Sequence, residues 1–210
     1  MPPQDQPRPY HHGNLPDALR CAAAEVIIEK GLGGFSLREV ARRAGVSHTA
    51  PAHHFGDTTG LLTSLATEGF QHLYEVTSTA VATHDDPAAR LVALGQAYVA
   101  VGALYPAHCE VMFRHDVIDE HDQALHAAGT AAHQVLVDTV AALCEAEGLA
   151  VDRDDAVKLC WASMQGLLVL HPSMAHLDQA AGLEPVDRDV LVTRFTQLLI
   201  DAFRAHPAPG

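Results

Sequence analysis

Two stretches of this 210-residue chain carry side chains that can do chemistry. The first is "AGVSHTAPAHHFGD", residues 44–57, which gathers Ser47, His48, Thr49, His53 and His54 into one short segment. Hydroxyls and imidazoles there can hydrogen-bond base edges or phosphates in a nucleic-acid groove. The second is "RHDVIDEHDQALHAAGTAAH", residues 114–133, with His115, Asp116, Asp119, Glu120, His121, Asp122, His126 and His133. These are metal-capable side chains. Asp122 and His126 stand i, i+4 on a helical reading, and His126 and His133 lie two turns apart. No zinc spacing such as H-E-x-x-H or paired CxxC occurs, so structural or solvated histidines are expected, with no metal and no other cofactor. Catalysis finds no support either. There is no G-x-S-x-G and no phosphate loop, and Cys109 beside His108 lacks a third partner, so no enzyme is expected.

The elements around the first stretch explain what it is for. Leu15, Leu19, Ala22, Ala23, Val26 and Ile27 make one apolar helical stripe, ended at "EKGLGG" where Gly31 suits a left-handed residue. Ser36 and Glu39 form S-x-x-E, a capping box, with Phe35 and Val40 in staple positions. Gly45 turns the chain, and Ser47 is expected to cap the next helix. Pro51 would then be its fourth residue, packed inward with Val46, leaving His48, Thr49, Ala52 and His53 to look outward. Gly56 ends that helix and Asp57 caps a longer fourth one, with Leu61, Leu62, Leu65, Ala66, Phe70 and Leu73 on its apolar face. A short helix, a glycine turn and another short helix make a helix-turn-helix, whose second helix enters the DNA major groove.

Composition agrees with an all-α fold. Hydrophobic residues reach 48% while aromatics are only 5%, and strand-like alternation is absent. Helices are expected at 87–104, 106–113, 120–147, 153–171 and 187–205, with a loop over 172–186. Helix 153–171 is nearly apolar all round and must be buried on more than one side. Together with 187–205, which presents Leu191, Phe195, Leu198, Leu199 and Ala202, it can form a four-helix homodimer interface. Met112, Phe113, Trp161, Met164 and Gln165 either line an apolar effector cavity or pack as ordinary core.

No apolar run approaches the ~18 residues of a membrane span, and the proline-rich start is no secretory signal. Cys21, Cys109, Cys144 and Cys160 form no CxxC pair, so reduced thiols and a cytoplasmic location are expected. The net charge of −13 is unevenly spread: residues 1–70 hold six Lys/Arg against seven Asp/Glu, and the rest hold seven against nineteen. Contact with DNA must therefore come from the near-neutral N-terminal third.

"HHGNLPDALRCAAAEVIIEKGLGGFSLREVARRAGVSHTAPAHHFGDTTGLL" resembles the DNA-binding domain of TetR-family transcriptional regulators. The specific parts are "FSLREVARRAGVS", His54-Phe55 and the "GLL" opening the fourth helix. "WASMQGLL", Trp161 to Leu168, is similar to a tryptophan-glycine motif in the ligand domain of one branch. The resemblance implies a flexible arm at 1–13, a helix-turn-helix domain at 14–58 and a helical ligand-binding and dimerisation domain at 59–210. It implies base-edge contacts from His48, Thr49 and His53, beside the capping Ser47, and phosphate contacts from Ser36, Arg38, His54, Thr58 and Thr59. Arg8, Tyr10, His11 and His12 either reach into the minor groove or form a free tail, and Arg42 and Arg43 are open between DNA and neighbouring acids. The chain departs from the family pattern at Ala52, where many members have tyrosine, and at Thr58 and Thr59, where many have lysine. Both changes lower the expected nonspecific affinity and its salt dependence. The expected protein is a ligand-responsive regulator, a repressor on a palindromic double-stranded operator, with an unidentified small-molecule effector. The competing reading is a helical small-molecule or metal-binding protein that has lost DNA binding.

Overall fold

The structure, a computed structural model, describes residues 15–205 apart from Leu183 and Pro185. The expected arm at 1–13, with Arg8, Tyr10, His11 and His12, lies outside the described residues. The fold is all-α: among the described residues there are nine α-helices and no strand. They are α1 (Leu15–Lys30), α2 (Leu37–Ala44), α3 (Ala50–Phe55), α4 (Thr58–Ala82), α5 (Pro87–Leu104), α6 (Pro106–Met112), α7 (Gln123–Glu147), α8 (Arg153–Ala181) and α9 (Arg188–Ala205).

The sequence signals place the first helices closely. Ser36 caps α2, its hydroxyl accepting from the Glu39 amide at 3.3 Å. The capping box is half made, because the Glu39 carboxylate turns to Lys30 and Arg42. Gly45 takes the left-handed conformation at φ 69°, and Val46 N–H closes the helix end onto Ala41 O at 3.0 Å. Asp57 caps α4 through the Gly60 amide.

Two expectations are corrected. Ser47 does not cap α3. Its hydroxyl pairs with Thr49 Oγ1 at 3.1 Å, while its carbonyl accepts from Ala50 N–H in a turn that precedes the helix. The helix starts at Ala50, so Pro51 is its second residue rather than its fourth. Its missing amide is then one of the first-turn amides that have no intrahelical partner, and it costs no helical bond. The second correction is the loop at 172–186. α8 runs on to Ala181 and ends at Gly182, whose φ is 70°. Pro172 removes one hydrogen bond, but the Ala-, Met-, Leu- and Gln-rich stretch behind it favours helix and carries the chain onward. Within one chain α8 buries only part of its surface. Cys160, Met164 and Leu167 are buried, whereas Leu159, Val169 and Leu170 are about half exposed or more.

Two units of packing emerge. Leu19, Ala22, Ala23, Val26, Val40 and Leu61 form the core of the α1–α3 head with the start of α4. The remaining helices bury larger clusters around α4, α5 and α7. α5 is long and apolar enough to cross a membrane by length and composition. It carries Arg90 and Gln96 and packs against α4, α6, α7, α8 and α9, which accounts for its apolar character as a core helix.

Candidate functional site

The head presents a polar outer surface. Pro51 is buried and Val46 half-buried, so α3 is seated on α2 by its inner side. Ser47, His48, Thr49, His53 and His54 are all exposed, as are Ser36, Arg38, Thr58 and Thr59. The tilted rings of His53 and His54 lie 5.4 Å apart. Thr58 and Thr59 open α4, where backbone amides and the helix dipole favour an anion.

Charge pairing sorts the cations of the head. Arg42 donates to both carboxylate oxygens of Glu39 at 2.7 and 2.9 Å. Arg43 pairs with Glu29, and Lys30 with Glu39. Arg20 is held by Asp17, Ser64 and Glu68. Both open arginines, 42 and 43, therefore engage acids. The hydrogen bonds from Arg42 and then Lys30 hold the Glu39 carboxyl down at about 2. Among the described residues of the head, Arg38 is the cation with no acidic partner, and it is exposed.

Beneath the head, residues of α4 to α9 line a partly open cavity of about 510 Å³. Met112, Phe113, Trp161 and Met164, for which the sequence leaves cavity lining and core packing open, lie on its wall. Gln165 does not reach the wall. Its side-chain oxygen accepts from the Tyr98 hydroxyl at 2.6 Å, and that hydroxyl accepts from Trp161 Nε1–H at 3.2 Å. Burial pushes the Tyr98 phenol up to about 12, so it stays a neutral donor. Phe70 and Phe113 meet edge to face at 5.6 Å.

The wall also contains residues that sequence reasoning missed or assigned otherwise. Phe70 is read only as part of the apolar face of α4, and Tyr98 comes from a helix read only by its range. His115, Glu120, His126 and His133, read as metal-capable, line the cavity instead, with His115 Nδ1 2.6 Å from Glu120 and the His133 ring against Trp161. The Asp122 carboxylate is occupied in capping α7. The 3.6-residue period did carry a signal: His126 and His133 stand two turns apart on α7, both facing the cavity.

Family comparisons agree with this geometry. Residues 19–65 match the model of bacterial regulatory proteins of the tetR family, and residues 91–203 match that of the tetracyclin repressor-like C-terminal domain. A Rhodococcus sp. RHA1 protein of unknown function is similar at 29% identity and TM-score 0.77, covering 94% of this chain and 99% of that one. The TetR family regulator PfmR of Thermus thermophilus aligns at 16% identity and TM-score 0.69, over 92% and 97%. The fatty acid degradation regulator FadR of Bacillus halodurans aligns at 16% and 0.70, over 91% and 97%. None of the curated proteins matches the chain. With a helix-turn-helix head over a helical body, and both family domains matched in order, the chain belongs to the TetR family of DNA-binding transcriptional regulators.

Proposed function

We propose that the chain is a ligand-responsive repressor that binds a near-palindromic operator as a homodimer. The observation that supports this best is the division of the head surface. Pro51 and Val46 fill its inner side, while the exposed side carries hydroxyls, imidazoles and the uncommitted Arg38. In this reading His48, Thr49 and His53 touch base edges, with Ser47 bracing Thr49. Ser36, Arg38, His54, Thr58 and Thr59 hold phosphates. The head is 14–58 and the effector and dimer body is 59–210.

The apolar wall, with four aromatic rings and hydrogen-bonding groups at His115, Glu120, His126 and His133, suits a mostly apolar effector with a polar group. α4 links the two sites. Its first residues, Thr58 and Thr59, face the DNA, and Phe70, Leu73 and Thr77 lie on the cavity wall. Over 25 residues it spans about 37 Å. An effector that shifts this lever changes the separation of the two heads, and DNA is released because it favours another separation. The partner copy covers Leu159 and Val169 of α8 and Phe195 and Leu198 of α9, all exposed in the single chain. Four unpaired cysteines fit a reducing cytoplasm, and no catalytic step is needed.

The test is a mobility shift of the full chain on DNA upstream of its own coding region, at low and moderate salt. A sequence-selective complex is expected. If none forms on any candidate promoter, the helical binder that has lost DNA recognition becomes the better account.

A further inference from the structure

Away from the cavity, three side chains converge where the head meets the body. Glu68 and His72 stand i, i+4 on α4, on one face. His108 comes from α6, and the candidate ligand atoms of all three lie within 4.8 Å of one another. Glu68 Oε2 and His108 Nε2 are 3.0 Å apart. The convergence is built into the backbone. A Cβ at Gly69 would meet Met112 Sδ at 2.7 Å and His108 Cβ at 3.0 Å, so glycine there lets α6 lie against α4.

We infer that Glu68, His72 and His108 form a site for one divalent transition-metal ion of the zinc class. Two imidazoles and one carboxylate suit a borderline ion; calcium and magnesium prefer oxygen ligands alone. Around an ion with bonds of about 2.0–2.1 Å, tetrahedral ligand atoms stand about 3.3 Å apart. Glu68 Oε2 and His108 Nε2, hydrogen-bonded at 3.0 Å, open by about 0.3 Å to take the ion between them, and the His72 nitrogen closes in from within 4.8 Å. Water takes the fourth position.

The surroundings supply outer support. Arg20 Nε donates to Glu68 Oε1 at 3.2 Å, which leaves Oε2 for the ion. The ring of Tyr105 stacks on His72 at 4.1 Å and 11°, fixing its plane. Partners that orient ligands in this way are worth about 10–100-fold in affinity. The ion would clamp α4 to α6 beside Arg20 of α1, a contact between the head and the body. The site goes beyond the regulator reading and does not depend on it, because its test contains no DNA.

The full chain, freed of metal with a chelator, is titrated with zinc chloride alone by calorimetry. One zinc ion per chain is expected, at least about tenfold weaker in His72→Ala and in Glu68→Gln. His121→Ala and His126→Ala should bind as wild type does, which separates this site from the other histidines. Cobalt(II) should give a visible absorption band in wild type that is absent from His72→Ala. His72 is partly exposed, so His72→Ala is expected to fold, and that variant decides the question if Glu68→Gln does not. No stoichiometric ion in wild type, or unchanged binding in a folded His72→Ala, would leave Glu68–His108 as a plain structural hydrogen bond and overturn the proposal.

Discussion

A side-chain carbon on Gly60 would lie 2.0 Å from the carbonyl oxygen of Phe55. The end of α3 rests on the first turn of α4 with no room between them, so the "GLL" at residues 60–62 has a steric reason. Gly60→Ala must push α3 away from α4. Overpacking of this kind costs about 1–3 kcal/mol, and several degrees of melting temperature should go with it. DNA affinity should fall more than the melting loss explains, because the displaced element is the one proposed to read the operator. Thermal melting and an anisotropy titration on operator DNA check both parts.

The free guanidinium of Arg38 and the paired one of Arg42 sit on the same short helix and should behave differently. On the proposed reading, Arg38→Ala removes a phosphate contact. Affinity should weaken about equally for specific and nonspecific DNA, and the slope of log K against log salt should fall by about 0.9. Arg42→Ala also breaks an exposed ion pair with Glu39 and should move the slope less. Salt titrations of the two variants side by side give the comparison.

Much of the head was legible in the sequence because its signals are local. Ser36, Gly45 and Asp57 act on atoms within five residues of themselves, and the structure shows each at the helix end it marks. Ser47 misled because a hydroxyl four residues before Pro51 looks like a cap, whereas Thr49 takes it up in a preceding turn. Pro172 misled because a mid-helix proline reads as a stop, yet the stretch behind it resumes the helix. The cavity was only partly legible, since its wall pools side chains from α4 to α9 and no spacing rule joins Phe70 to Trp161. The same limit hid His108, forty residues from Glu68, although Glu68 and His72 share a readable i, i+4 face.

Acid should weaken the head through Glu39. Its carboxyl titrates at about 2 in the fold against 4.5 ordinarily, held down by Arg42 first and Lys30 second. A depressed carboxyl stabilises the fold fully above its unfolded pKa, and that contribution is lost as pH falls through the folded one. The stability gap between wild type and Glu39→Gln should therefore be constant above pH 4.5 and shrink towards pH 2. Denaturant melts of the pair across that range measure it, and a gap independent of pH would contradict the pairing.

Gly129 offers a way to fill the cavity. It lies on the wall within α7, and a Cβ there would meet only the Phe70 ring at an ordinary 3.9 Å. Gly129→Leu removes a helix-interior glycine, worth about 0.5–1 kcal/mol, and fills volume proposed for the effector. The variant should melt a few degrees higher, bind DNA as wild type does, and no longer release it to compounds that release wild type. Effector-dependent anisotropy measures the response; an unchanged response would place the effector elsewhere.

The most direct measurement is a quantitative footprint of wild type and the His48→Ala/His53→Ala double variant on the DNA that wild type selects. Wild type should protect two symmetry-related half-sites about 34 Å apart, and the double variant should lose that pattern while keeping salt-dependent nonspecific binding. Identical footprints from the two proteins would contradict the assignment of base reading to α3 and its entry turn.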